Sequence, residues 1–206
     1  MSRARCAHTV AFLLLACCSR APSPTPSASG SLAPGSTSSV AGDPLELEAQ
    51  RDWDSGKRED IIYVPTPQKV VDKMLEVANV TSGDVVYDLG CGDGRIVVTA
   101  AKKMGAKAIG FDLDPDRVSE ARENVRREGL GALASIRRAN VFSVDLGPAT
   151  VVTLYLLPEL NVRLIPQLEK LRAGSRIVSH DFDMRGYKPD KMFTIDEKER
   201  CRPLWC

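Results

Sequence analysis

The stretch from Asp84 to Met104, DVVYDLGCGDGRIVVTAAKKM, constrains the fold more than any other part of the chain. An apolar run of strand length enters a bend with glycine at every second position, Gly90, Gly92 and Gly94. Glycine is needed where the backbone turns sharply or must approach another group with no side chain between. Apolar residues at helical spacing follow from Arg95 to Met104, and Gly105 ends that run as a C-terminal cap would. The stretch therefore reads as strand, bend and helix.

The same alternation repeats along the chain. Thr66-Pro67 precedes apolar Val70, Val71, Met74, Leu75 and Ala78, which predicts a helix over 67–79 with Thr66 as N-cap and Pro67 as its first residue. A second strand is expected over 107–113, followed by a helix that Asp114-Pro115 caps and that runs to about Glu128. Further strands are expected over 133–140, 149–157 and 175–182. The helix over 158–172 should break or restart at Pro166, because a mid-helix proline removes a backbone hydrogen bond. Nearly continuous apolar strands alternating with helices imply a parallel sheet covered on both faces, an α/β doubly wound fold.

In such a sheet, ligands sit beyond the C-terminal strand ends where the winding reverses, and the glycine bend falls there. Three glycines alone fit a tight turn without a ligand as well as a binding loop. Two carboxylates separate these readings. Asp88 ends the first strand ahead of the bend, and Asp112 ends the second strand, where a carboxylate accepts hydrogen bonds from ribose hydroxyls. Dinucleotide folds use Gly-x-Gly-x-x-Gly to seat a pyrophosphate on a helix N-terminus. Here Asp88 and Asp93 flank glycines of a different spacing, which disfavours a nicotinamide oxidoreductase and suits a cationic nucleoside such as S-adenosylmethionine.

The octet Asp88-Leu89-Gly90-Cys91-Gly92-Asp93-Gly94-Arg95 resembles motif I of the Rossmann-like, class I S-adenosylmethionine-dependent methyltransferases. Three further segments are similar to a narrower branch: Tyr63-Val64-Pro65-Thr66-Pro67, Thr153-Leu154-Tyr155-Leu156-Leu157-Pro158 and Ser179-His180-Asp181-Phe182-Asp183-Met184. That branch comprises bacterial relatives of the mitochondrial lysine methyltransferases acting on the ATP synthase c-subunit and the adenine nucleotide translocase, akin to Dot1-type enzymes. The resemblance covers residues 60–190. It implies that Asp88, Gly90, Gly92 and Gly94 surround the methionine and ribose of the cofactor, and that Asp112 holds the ribose hydroxyls. It further implies Asn140 near the adenine amino group and Tyr63 and Thr66 over the methionyl end. The family continues past the fifth strand into an antiparallel pair. Here Met192–Ile195 supplies one strand and Leu204-Trp205 only the start of another, so a truncated C-terminal pair is expected.

Methyl transfer from a sulfonium needs alignment in a dry site more than catalytic side chains. The resemblance implies a protein lysine as acceptor, whose amine attacks only when neutral. Tyr155 at the end of the fourth strand and His180 and Asp181 at the end of the fifth are candidates to orient an amine, beside the simpler reading of strand-end packing. A competing expectation is a lipid-anchored nucleoside-binding module that has lost turnover.

The first forty residues read differently. Arg3 and Arg5 precede an apolar stretch over 7–16 too short to span a bilayer, the pattern of an export signal. Leu14-Leu15-Ala16-Cys17 resembles a bacterial lipobox, which implies a leader over 1–17 and a lipid on Cys17 that tethers the protein to the cell envelope. An ordinary signal peptide is the alternative, and a cytoplasmic protein if the signal reading fails. Residues 18–42, mostly Ser, Pro, Ala, Gly and Thr, form a spacer that cannot bury enough apolar surface to order itself, and the methyltransferase body follows over 43–206.

From Asp43 onward there are 25 basic residues against 27 acidic ones. That balance lacks the basic excess by which nucleic-acid binders attract phosphate, so no nucleic-acid partner is expected. Histidine occurs only at positions 8 and 180, too few for a His-rich metal site. Cys201 and Cys206 are either a disulfide or two free thiols.

Overall fold

The alternating strands and helices close into a five-stranded, wholly parallel sheet. The computed structural model describes residues 9–12, 43–56, 63–182, 184 and 186–195. In chain order the elements are β1 (Thr9–Phe12), α1 (Pro44–Asp54), α2 (Gln68–Val77), β2 (Val85–Leu89), α3 (Arg95–Met104), β3 (Lys107–Asp112) and α4 (Pro115–Arg127). They continue with β4 (Ala134–Arg138), a 3-10 turn (Val141–Ser143), β5 (Val151–Leu154), α5 (Pro158–Leu168), β6 (Arg176–Ser179) and β7 (Lys191–Thr194).

The sheet order is β4-β3-β2-β5-β6. From β2 the chain winds outward through β3 and β4, then crosses back to β5 and β6 on the other side. Helices α2, α3 and α4 cover one face, where Val71, Met74, Val97, Ala100 and Ala121 bury against Val86, Ala108 and Val151. Helix α5 covers the other, placing Leu160, Leu164 and Leu168 against Leu89, Phe111, Leu154 and Ile177. Burial on both faces explains the unbroken apolar character of β5, Val151 to Leu154, where alternation would mark a half-exposed strand. The reversal of winding beside β2 opens the crevice that a doubly wound sheet offers a ligand.

A polar clasp closes the opposite end of the sheet. Arg176 at the start of β6 donates from Nη1 and Nη2 to the two oxygens of Asp84, at 2.9 and 3.0 Å. Its Nε donates to the carbonyl of Ala78 beyond α2 at 2.9 Å, and Thr150 gives its hydroxyl to Asp84 at 2.7 Å. Burial raises the Asp84 carboxyl, but the Arg176, Thr150 and Thr81 donors outweigh it and hold the group well below the usual carboxylate range.

Several expectations are corrected. The strand predicted over 149–157 leaves the ladder at Leu154, and Tyr155 to Leu157 turn to wall the cleft described below; their apolar character serves that wall. Helix α5 runs unbroken through Pro166, because the proline sits in the last turn and removes only the bond to the carbonyl of Val162. Thr66 is not an N-cap: Pro67 takes that position, while the Thr66 hydroxyl lies 3.3 Å from His180 Nδ1. Helix α1 was not foreseen, although Asp43 caps it through Leu45 N at 3.0 Å and Pro44 occupies its first turn.

The strand expected at Met192–Ile195 exists as β7, Lys191–Thr194, and pairs antiparallel with β1. Thr9–Phe12 thus lies within the stretch read as an export leader. Cys17, the spacer over 18–42, Cys201, Leu204-Trp205 and Cys206 lie outside the described residues.

Candidate functional site

The C-terminal ends of all five parallel strands deliver residues to one cleft of about 760 Å³. Asp88 and Gly90 come from the end of β2, Asp112 from β3, Asn140 from the turn after β4, Tyr155 from the end of β5 and Phe182 from the turn after β6. Tyr63 and Thr66, ahead of α2, close the side nearest the glycine bend. The volume falls within the range of small-molecule and cofactor pockets.

The bend takes its shape from close packing. Gly92 has φ +53°, and a Cβ there would lie 2.3 Å from the ring of Tyr63, so this glycine lets the ring cover the bend. Gly110, in the middle of β3 and level with Asp88, does the same beneath: a Cβ would meet Cys91 Sγ at 2.8 Å. The sequence reading missed Gly110. A lone glycine inside the strand run KAIGFDL was the available signal, since it marks close backbone approach.

The three acidic residues differ in environment. Asp93 takes both Nε and Nη2 of Arg95, the latter at 2.6 Å, and this pairing overcomes burial to lower its carboxyl. The negative charge expected from Asp93 is therefore already balanced. Asp88 is buried at 2% exposure and is held by the Thr153 hydroxyl at 2.7 Å. Burial pushes its carboxyl up to about 7, against the Thr153 bond and with repulsion from Asp112 and Asp93 adding to the rise. Asp112 accepts the amides of Gly92 at 2.8 Å and Asp114 at 3.0 Å, and burial still raises it. Two carboxylates held by neutral donors make a cleft suited to a ligand that brings positive charge and hydroxyl donors. An aminoacyl sulfonium nucleoside meets both requirements.

Arg95 is a second residue whose role the sequence reading left out. Besides gripping Asp93 it donates from Nη1 to the carbonyl of Thr66 at 2.8 Å, tying the Tyr63–Pro67 segment to the bend. Tyr63 completes the tie, its hydroxyl accepting from Asp93 N at 3.4 Å while Arg117 stacks 4.8 Å over its ring.

At the far end, the three candidates for orienting an amine occupy different layers. Tyr155 lines the cleft, His180 lies behind it with ring centroids 4.0 Å apart, and Asp181 stands behind His180 with its carboxylate 3.6 Å from Nε2. Phe182 returns to the cleft and stacks on Tyr155 at 6.0 Å. The turn that brings it back places Asp181 at φ +60°, and Ser179 Oγ secures it by donating to the carbonyl of Phe182 at 2.6 Å. Asn140 lines the cleft with its side-chain oxygen accepting from Phe142 N at 3.1 Å.

The chain resembles proteins of known family. The ANTKMT methyltransferase domain model matches residues 88–191. A protein-lysine N-methyltransferase of Saccharolobus islandicus is 49% identical over 137 residues, covering 66% of this chain and 85% of that protein. The human lysine N-methyltransferase of the ATP synthase c-subunit is 30% identical over 129 residues, covering 62% of this chain, and the chain spans only 54% of its length. A crystal structure described as an RNA methyltransferase from Salinibacter ruber, in complex with S-adenosyl-L-homocysteine, is 48% identical with a TM-score of 0.61, covering 66% of this chain and 95% of that one. With Asp88, the glycine bend and Asp112 inside the matched region, the chain belongs to the ANTKMT methyltransferase domain family and is an S-adenosylmethionine-dependent methyltransferase.

Proposed function

We propose that the protein N-methylates a lysine side chain of a protein substrate. The observation that carries this reading is the aromatic wall of Tyr155 and Phe182 at the end of the cleft opposite Asn140. Flat rings accommodate the four-carbon lysine stem, and the exclusion of water around the amine favours the neutral form that attacks. Tyr155 carries the polar tip on that wall, and the layer of His180 and Asp181 behind it holds the ring in place. The 49% identical Saccharolobus protein, named for lysine methylation, supports the same acceptor.

S-adenosylmethionine supplies the activated methyl group when bound. Asp88 and Gly90 take its methionyl part, Asp112 the ribose hydroxyls and Asn140 the adenine amino group, while Tyr63 and Thr66 close over the methionyl end and exclude water. The wall of Tyr155 and Phe182 positions the incoming amine.

A second reading, RNA methylation, is favoured by the description of the Salinibacter enzyme as an RNA methyltransferase and by the suitability of stacked rings for a splayed base. The surplus of acidic over basic residues from Asp43 onward speaks against it. Incubation with labelled S-adenosylmethionine and either a membrane-protein extract or total RNA separates the two. Label in trimethyl- or dimethyl-lysine after hydrolysis supports the proposal. Label in nucleosides supports the second reading, and cofactor binding without transfer to either points to a binding module.

The leader signature and Cys17 further support export and lipid attachment at the cell envelope. Intact mass of the mature chain tests this: cleavage of the peptide bond ahead of the lipid-bearing Cys17 removes Thr9–Phe12, whereas a retained N-terminus leaves β1 beside β7.

A further inference from the structure

Helix α1 lies outside the matched family region, yet its C-terminal end reaches the cleft, where Trp53 is part of the lining. The preceding residue, Asp52, accepts from Asn140 Nδ2 at 2.6 Å. Asn140 Oδ1 meanwhile accepts from Phe142 N at 3.1 Å. These two bonds fix the orientation of the amide. A carboxylate only accepts and a backbone N–H only donates, so turning the amide over would set oxygen against oxygen and N–H against N–H. Each end of the amide keeps one group in reserve, a lone pair on Oδ1 and one N–H on Nδ2.

A 6-aminopurine presents an N–H donor beside a ring-nitrogen acceptor, the complement of an asparagine amide in one orientation. A 6-oxopurine presents the reverse order on its Watson–Crick edge, an acceptor beside a donor, and needs the amide turned over. We propose that Asp52 is a positioning residue for base recognition: by locking the Asn140 amide it makes the cleft select a 6-amino over a 6-oxo purine nucleoside. This inference rests on the placement of Asn140 at the adenine edge proposed above.

The test is calorimetric titration of the full chain with S-adenosylhomocysteine and with its deaminated counterpart, S-inosylhomocysteine. The natural chain prefers the adenosyl compound. Asp52→Asn keeps the shape of the side chain and removes one of the two bonds that fix the amide, leaving only the Phe142 N–H to oppose the turned form, so the preference falls by about fivefold, chiefly through tighter binding of the inosyl compound. Glu46→Gln weakens another anchor of α1, the pair with Arg122, and leaves the preference unchanged. If Asp52→Asn weakens both ligands equally, or changes neither, Asp52 only packs α1 and the inference is overturned. Asn140→Ala examines the underlying placement separately. Loss of the preference in that variant upholds it, and an unchanged preference removes Asn140 from the base whatever Asp52 does.

Discussion

Thr153 on β5 donates its hydroxyl to Asp88, its register partner on β2, at 2.7 Å inside the sheet. The bond joins the two strands that flank the reversal of winding, and it holds in place a buried carboxylate that the fold alone has no use for. Ionised Asp88 is useful once a cationic ligand arrives. That makes the cleft a place where stability and binding oppose each other.

The pH dependence follows from the raised Asp88 carboxyl. Its value moves from 3.8 to about 7 on folding, so the folded chain keeps a proton that the unfolded chain loses. Stability therefore falls as pH rises from about 4 to about 7 and is level above that, by roughly 4 kcal/mol from this group alone. Asp88→Asn should raise the unfolding free energy at about pH 8 by roughly the same 4 kcal/mol and leave it almost unchanged near pH 4. Denaturant titrations at the two pH values check this. Equal effects at both would disconnect Asp88 from the pH profile.

Binding has the opposite sign. S-adenosylmethionine favours the ionised carboxylate, so its affinity should rise with pH up to about pH 7 and level off above it, with net release of close to one proton near pH 6. Calorimetry in buffers of different ionisation enthalpy counts that proton. Thr153→Val removes the hydroxyl that opposes the rise in Asp88, and the midpoint of the profile should move to higher pH.

Arg95→Ala should release the Tyr63–Pro67 segment from the bend, since it removes both the Asp93 pair and the bond to the Thr66 carbonyl. Affinity for S-adenosylhomocysteine should drop about tenfold or more, and hydrogen exchange at Thr66 should quicken. Undisturbed exchange there would show that other contacts hold the segment.

The clasp at the far end of the sheet predicts a stability effect without a binding effect. Arg176→Ala leaves the buried Asp84 carboxylate without its cation, held only by the Thr81 and Thr150 donors, and should cost about 2 kcal/mol or more. The depressed Asp84 carboxyl stabilises the fold above its ordinary range, and this contribution fades as pH falls below about 4. Urea unfolding of the variant across acid pH measures both, and the dissociation constant for S-adenosylhomocysteine should stay within about threefold, roughly half of one hydrogen bond.

Residues tied to their immediate neighbours were legible in the sequence. The parallel sheet, the glycine bend, the Asp114-Pro115 cap and the acidic strand ends follow from patterns a few residues long, and they recur in the structure. What escaped depends on partners distant in the chain. Arg95 acts on Thr66 and Arg176 on Asp84, pairings across 29 and 92 positions that no local pattern encodes. Thr66 fits a local cap rule, but His180 claims its hydroxyl once β6 is in place. The layering of Tyr155, His180 and Asp181 was hidden for the same reason, because the ends of two different strands supply the cleft wall and its support.

Tyr155→Ala should separate the two ends of the cleft. Loss of the ring that faces the acceptor lowers kcat/KM for a lysine-containing substrate by about a hundredfold, while cofactor affinity changes little. Steady-state kinetics alongside equilibrium binding distinguish this from a general collapse of the pocket, in which both quantities would fall together.

The most direct measurement is calorimetric titration of the full chain with S-adenosylmethionine, beside the variant in which Asp88 and Asp112 are both alanine. Saturable binding at one site in the natural chain, lost in the double variant, is the predicted result. Absence of binding to the natural chain, or equal affinity in the variant, would contradict a cleft built on these two carboxylates.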